Sequence, residues 1–257
     1  TPFIKVEHPP MLRKIDLHAM IVGRLAILKE RNPVMTFQEL IDGKEIMMTR
    51  MLAEIQRTPD MTRDELIEIG HCLVHYVNEF EKIKAEDATC IAASAHHALD
   101  EMLTAGKERS TDAKLISCAR GCSHCCKQYV TVAAPEAEFL VSVAKENGLV
   151  LDREKLERQR QLKEGDYSTA PRGDAACVFL QESGECAAYE FRPMSCRKYF
   201  SLADPVLCDL VRFPHQAVPT WFDMRAEIIA SAAMQVFGAG PMAEELLKAL
   251  DRKEATT

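Results

Sequence analysis

Cys118-Ala-Arg-Gly-Cys122-Ser-His-Cys125-Cys126 is the stretch that decides how the rest of the chain is read. Four thiols fall within nine residues, and Cys177, Cys186, Cys196 and Cys208 follow, so 118–208 holds eight of the ten cysteines. A thiolate is a soft, anionic ligand that suits zinc, Cu(I) and iron–sulfur clusters. Ligands carried on one tight turn also cost little chain entropy when a site assembles. Cys122-Ser-His-Cys125 is a C-x2-C knuckle of the kind that zinc and iron–sulfur sites both use. Neighbouring side chains diverge, so the adjacent Cys125-Cys126 suits a polynuclear cluster, or two sites sharing a wall, better than one tetrahedral ion. Eight thiols also exceed the four of a closed structural zinc site.

Working outward, Cys196 lies in Phe191-Arg-Pro-Met-Ser-Cys196-Arg197, where Pro193 restrains the backbone before the ligand. Arg192 and Arg197 are expected behind the ligands, where they would offset thiolate charge or donate to sulfur. Binding of an anionic substrate is the alternative. His124 either replaces a thiolate or sits on an exposed turn, and Tyr189 and Tyr199 are expected to pack around the site. Cys177-Val-Phe-Leu180 and Cys186-Ala-Ala-Tyr189 flank Gln-Glu-Ser-Gly-Glu, which reads as a small β-hairpin with Gly184 in the turn.

The flanks read as helices. Apolar residues recur at helical spacing over 12–29, and Thr36-Phe-Gln-Glu39 and Thr62-Arg-Asp-Glu65 are capping boxes that open helices to about 57 and 84. A further helix is expected over 87–105, with a linker after Gly106 and an extended piece at 129–133. Pro135 suits a first helical position, followed by Glu136 and Glu138, with Gly148 as the stop. The charged alternation at 152–163 reads as a solvated helix. Thr220-Trp-Phe-Asp223 is expected to start a helix to Phe237, and Pro241 to open the last one. His71 and His75 are spaced as metal ligands can be, yet ~100° per residue puts them opposite the stripe Leu66, Gly70, Leu73, Val77, Phe80. His97 and Cys90 also point away from the apolar face of their helix, with His96 at its edge, and Cys72 reads as a boundary residue. The expected fold is mainly α: a helical scaffold of N- and C-terminal helices around a cysteine-rich metal-binding module with a small β-hairpin. Its parts would be 1–113, 114–215 and 216–257.

Bulk properties narrow the function. With 47% hydrophobic and 28% charged residues in 257, the chain can bury a full core. A formal charge of −7, from 32 basic and 39 acidic residues with no basic stripe, argues against a nucleic-acid groove. No apolar run reaches membrane-spanning length, and no basic–apolar leader is seen, so the expected location is cytoplasmic. In a reducing compartment this cysteine density points to metal or redox chemistry and away from disulfides. No Gly-rich strand–turn–helix motif is present to hold a nucleotide cofactor.

The order Cys-x3-Cys-x2-Cys-Cys, Cys177-Val-Phe-Leu, Gly-Glu-Cys186-Ala-Ala-Tyr, Arg-Pro-Met-Ser-Cys196-Arg and Cys208 resembles the YkgJ-type cysteine-cluster family over about 118–212. That family is described as a zinc- or iron-chelating domain. A related domain occurs in flagellin lysine N-methylases, which implies that some relatives act on protein lysines. No residue here inherits that activity. The resemblance thus implies a metal-ion partner, with iron (as an iron–sulfur cluster) or zinc as cofactor and Cys118, Cys122, Cys125, Cys126, Cys177, Cys186, Cys196 and Cys208 as ligands. Redox or modification chemistry on a protein substrate, a zinc-stabilised module for a protein partner, and metal storage or transfer all stay open.

Overall fold

The computed structural model describes residues 63–209, 211–213 and 216–255. The helices expected over 12–29 and 36–57 lie outside the described residues. Contacts divide the chain after His71, and the architecture below is that of Cys72–Thr257. The described elements are α1 (Arg63–Lys82), α2 (Ala88–Arg109), β1 (Thr131–Ala133), α3 (Ala134–Glu146), α4 (Arg153–Arg160), α5 (Arg172–Ala175), α6 (Met194–Arg197), β2 (Phe200–Ser201), β3 (Thr220–Trp221), α7 (Met224–Phe237), β4 (Ala239–Pro241) and α8 (Met242–Ala255). The fold is mainly α. Its strands form two short antiparallel pairs, β1 with β4 and β2 with β3.

The helical periods are met. On α1, Leu73, Tyr76, Val77 and Phe80 are buried, and the Phe80 ring lies 5.6 Å from that of Phe237 at the end of α7. Cys72 is also buried. Asp87 caps α2 by accepting from the Cys90 N–H at 2.9 Å. Helix α2 buries Ile91, Ala92, Ala95 and Leu99 and packs on α3 and α7, the latter burying Ala226, Ile229, Ala230 and Ala233. Small residues on both helices permit close packing.

Three expectations are corrected at the helix ends. Helix α2 does not stop near Gly106 but runs to Arg109. Gly106 is there for space, since a Cβ would stand 2.1 Å from Asp223 Oδ2 and 3.2 Å from the Trp221 ring. Thr220 and Trp221 form strand β3 and do not begin a helix; Asp223 caps α7 by accepting from the Arg225 and Ala226 N–H groups. Pro241 likewise ends β4, opposite Thr131, and α8 begins at Met242.

A second core joins the cysteine region to the C-terminal helix. Val132, Leu140, Val141, Leu156, Phe179, Ala188, Leu246 and Leu247 form one buried cluster, with Cys177 and Cys186 packed at its margin. The hairpin is present as the Leu180–Cys186 bridge, with Ala187 N–H donating to Phe179 O at 2.8 Å and Gly184 at φ +84°. A two-stranded hairpin is marginal alone, so burial of Phe179 and Ala188 under α8 is what holds it. Helix α4 is less solvated than its charged sequence implies. Leu156 and Gln159 are buried, and Gln159 Nε2 donates to Asp174 O at 2.6 Å and Ala176 O at 2.7 Å, fixing the approach to Cys177. Among the described residues no helix is long and apolar enough to cross a membrane.

Candidate metal centre

The first cluster is a chain of tight turns. Cys122 N–H donates to Ala119 O at 3.0 Å across Gly121, whose φ of +89° favours glycine. A 3-10 turn, His124–Lys127, then carries Cys125 and Cys126, with Cys126 N–H donating to Ser123 O at 3.1 Å. In such turns backbone amides face sulfur. The His124 N–H donates to the Cys122 thiol, and the same two-residue offset recurs from Phe179 to Cys177 and from Ala188 to Cys186. Ser201 N–H donates to Cys118 Sγ at 3.0 Å, while its hydroxyl donates to Ala203 O at 2.9 Å. Hydrogen bonds of this kind favour the thiolate.

Two walls meet at the Cys125-Cys126 turn. On one side Cys177 N–H donates to Cys126 O at 2.7 Å, bringing in the hairpin; its Gly184 lies close enough that a Cβ would stand 3.7 Å from Gly121 O. On the other side the 3-10 turn Pro205–Cys208 packs on His124–Lys127, and Gln128 Nε2 donates to Cys208 O at 3.3 Å. Cys196 enters on α6, whose Ser195 hydroxyl donates to Thr131 O at 2.6 Å.

Burial pushes the thiols of Cys122, Cys186, Cys196 and Cys208 up, and that of Cys177 up to about 12. Cys125 is raised first by a hydrogen bond with the Cys126 side chain and then by burial. Repulsion between thiolates adds to each. Cys122 feels Cys125 and Cys118, and Cys208 feels Cys118, Cys125 and Cys122. Cys177 feels Cys186 and Cys125, and Cys196 feels Cys177, Cys125 and Cys186. Cys125 is common to both groups. Thiols raised in this way keep their protons in the metal-free protein, and Arg192 is a cation that acts the other way, lowering Cys125 and Cys186.

The two arginines differ in placement. Arg192 lies over the Tyr189 ring at 3.7 Å and donates to Tyr189 O, within range of the thiols. Arg197 is turned to structural work, donating to Arg192 O at 2.6 Å and to Asp100 on α2 at 2.7 Å. His124 is half-buried, and its Nδ1 is shut from solvent with no hydrogen-bond partner. Tyr199 lies against Cys208 and Gln128, whereas Cys72 and Cys90 are on α1 and α2.

Sequence reasoning missed the support behind Cys196. Glu136, 1% exposed, accepts from Met194 N–H at 2.7 Å, from Ala133 N–H at 3.0 Å and from His96 Nε2 at 2.8 Å. His96, expected at the edge of the apolar face of its helix, is therefore buried as the partner of this carboxylate. A Pro-Glu pair at a helix start was the only visible signal, and it reads as capping. The contact with Met194 joins residues 58 apart and has no local signature.

The residues fit a soft metal ion. Among the described residues, which include all ten cysteines, none forms a disulfide. No three Cys, His, Asp or Glu side chains among them stand as a finished metal site. The backbone nonetheless gathers the thiols around one turn, with amide donors aimed at sulfur and the His124 Nδ1 orphaned beside them. Residues 117–209 match the family model CxxCxxCC, described as "Putative zinc- or iron-chelating domain". This segment is similar to that cysteine-cluster domain in the order of its cysteines. The match covers well under half of the 257 residues, so the helices outside it inherit nothing. No curated protein and no solved structure matches the chain.

Proposed function

We propose that Cys118, Cys122, Cys125, Cys126, Cys177, Cys186, Cys196 and Cys208 gather zinc or iron into one thiolate centre, and that chelation is the protein's primary activity. The observation that carries this is that the segments bearing Cys177 and Cys208 both pack on the Cys125-Cys126 turn, with the Ser201 N–H directed at Cys118 Sγ. Bound metal would supply the positive charge that these buried thiolates lack. Arg192 offsets part of the residual charge, Ser201 and the knuckle amides orient sulfur, and Gln159 and Glu136 hold the segments that carry Cys177 and Cys196. The cluster module takes 114–215, with 1–113 and 216–257 as its helical surround.

An iron–sulfur centre serving redox chemistry in the cytoplasm is the finer form of this reading, and it rests on the number of thiols. A cavity of about 110 Å³ beside α6, lined by Ser195, Lys198, Tyr199, Trp221 and Asp223, is far smaller than the roughly 300 Å³ that a small-molecule site needs. The test is metal and acid-labile sulfide analysis, with a visible spectrum, on protein purified without oxygen or added metal. Bound iron or zinc is expected, and iron with sulfide supports the finer form. Protein that carries no metal and takes up neither Zn(II) nor Fe(II) would refute chelation.

A further inference from the structure

We infer that Asp100 on α2 is a positioning residue for the metal centre: acting through Arg197, it holds Cys196 in place against the segment that carries Cys186. This rests on the chelation reading above. It applies alike to zinc and to an iron–sulfur centre, because it concerns how the ligand-bearing segments are held and not which ion they take. Asp100 lies outside the matched residues 117–209, so the family match assigns it no part.

Arg197 follows Cys196 at the end of α6 and reaches three separate pieces of chain. Its Nε donates to Arg192 O at 2.6 Å, one terminal nitrogen donates to Glu190 O, and the other donates to Asp100 Oδ2 at 2.7 Å. Residues 190–192 are in turn tied to the hairpin, since Tyr189 N–H donates to Cys186 O at 3.1 Å and Phe191 N–H donates to Ala188 O at 2.9 Å. One guanidinium therefore cross-links the residue after Cys196 to the turn after Cys186. Its planar fork sends each N–H in a fixed direction, which a lysine ammonium cannot reproduce. The Arg197 side chain is only 13% exposed, and two backbone carbonyls alone would leave its charge uncompensated there. Asp100 supplies the counter-charge and the third bond.

Helix α2 is well placed to set this point, because it packs on α6. His96, one turn before Asp100, reaches the other end of α6 through Glu136, which accepts from His96 Nε2 at 2.8 Å and from Met194 N–H at 2.7 Å. Both ends of the short helix bearing Cys196 are thus held from α2. A helix of four residues has no stability of its own, so such contacts dictate its orientation. The Asp100 side chain is 50% exposed. A pair with one partner half in water adds little to global stability, so its loss should show at the metal centre and not in unfolding. The competing reading, an ion pair with no bearing on the metal, predicts an effect at neither.

The experiment follows the rate at which the metal-loaded full chain gives up its zinc or iron to a chromophoric chelator, with urea unfolding of the metal-free protein as the second readout. Asp100→Ala should release metal about 10-fold faster, on the scale by which groups supporting metal ligands change metal affinity, with the unfolding midpoint unmoved. Asp100→Asn keeps an acceptor for Arg197 and should stay close to the unaltered protein. Arg197→Lys keeps the charge but loses the fork, and should release metal at least as fast as Asp100→Ala. Exchanging the pair, Asp100→Arg with Arg197→Asp, restores opposite charges but not the bonds to the Glu190 and Arg192 carbonyls, so slow release should not return. Release from Asp100→Ala at the unaltered rate, recovery in the exchanged pair, or an equal acceleration in Leu73→Ala, a buried change on α1, would each overturn the positioning role while leaving chelation intact. Unaltered protein that carries no metal and takes up neither Zn(II) nor Fe(II) would instead sink the chelation reading, and the positioning role with it.

Discussion

Removing the Glu136 carboxylate tests whether the metal centre depends on a buried group that touches no thiol. Glu136→Ala strands three donors at once: the Met194 and Ala133 N–H groups and His96 Nε2. An unsatisfied buried polar group costs about 1–3 kcal/mol. The three losses share one site and are not additive, so the expected destabilisation is about 1–3 kcal/mol, a sizeable part of a typical stability of about 5–15 kcal/mol. Urea unfolding of the metal-free protein measures it. The second readout is metal affinity by competition with a chromophoric chelator. Because Glu136 holds the first turn of α6, the variant should bind metal about 10–100-fold more weakly. Leu73→Ala is the control: Leu73 on α1 is 2% exposed and lies outside the core cluster that packs on Cys177 and Cys186, and its truncation costs about 2–5 kcal/mol without touching α6. Equal loss of affinity in both variants, or a Glu136→Ala effect within the roughly 0.5 kcal/mol of a surface change, would refute the reasoning.

The remaining predictions concern packing, protonation and the partition of the cysteines. Gly106→Val should cost about 1–3 kcal/mol by overpacking against Asp223 and Trp221, and should shift the emission of the single tryptophan. In the metal-free protein the Cys177 thiol is raised from 9.0 to about 12 by burial, so above pH 9.0 the folded chain keeps a proton that the unfolded chain releases. That contribution is whole below pH 9.0 and is lost as pH rises through about 12, so metal-free protein should unfold at lower urea as pH climbs. Metal-loaded protein should show the opposite trend, gaining stability as pH rises from acid, because metal binds the thiolate. Cys72→Ser and Cys90→Ser should leave metal stoichiometry unchanged by elemental analysis; loss of metal in either would overturn the division of the ten cysteines. A fragment of 114–215 should stay unfolded by circular dichroism without metal, since it lacks Leu99, Ile228 and Leu246, each 0% exposed.

Where sequence and structure agree, the cause is local. The Cys122-Ser-His-Cys125 knuckle, the Gly184 turn, the Pro135 helix start and the stripe Leu73, Val77, Phe80 each follow from residues within a few positions of one another. Turn chemistry and periodicity act over that range. The reading failed where a residue serves a distant one. Gly106 looked like a break because glycine ends helices, yet it makes room for Asp223 on another helix. Thr220 looked like a cap because of Asp223, yet it pairs with Ser201 as a strand.

By itself, then, the sequence determined a mainly helical fold and a segment matching a cysteine-cluster domain, because helical periodicity and the order of eight cysteines are both written in the chain. Only the tertiary structure decided how those thiols are grouped. The Ser201 bond to Cys118, the Cys177 bond to Cys126, and the Glu136 hold on the Cys196 helix all span tens of residues. Such contacts form because buried donors and carboxylates must find partners once the helices close over them, and the chain order carries no record of which partner each will find.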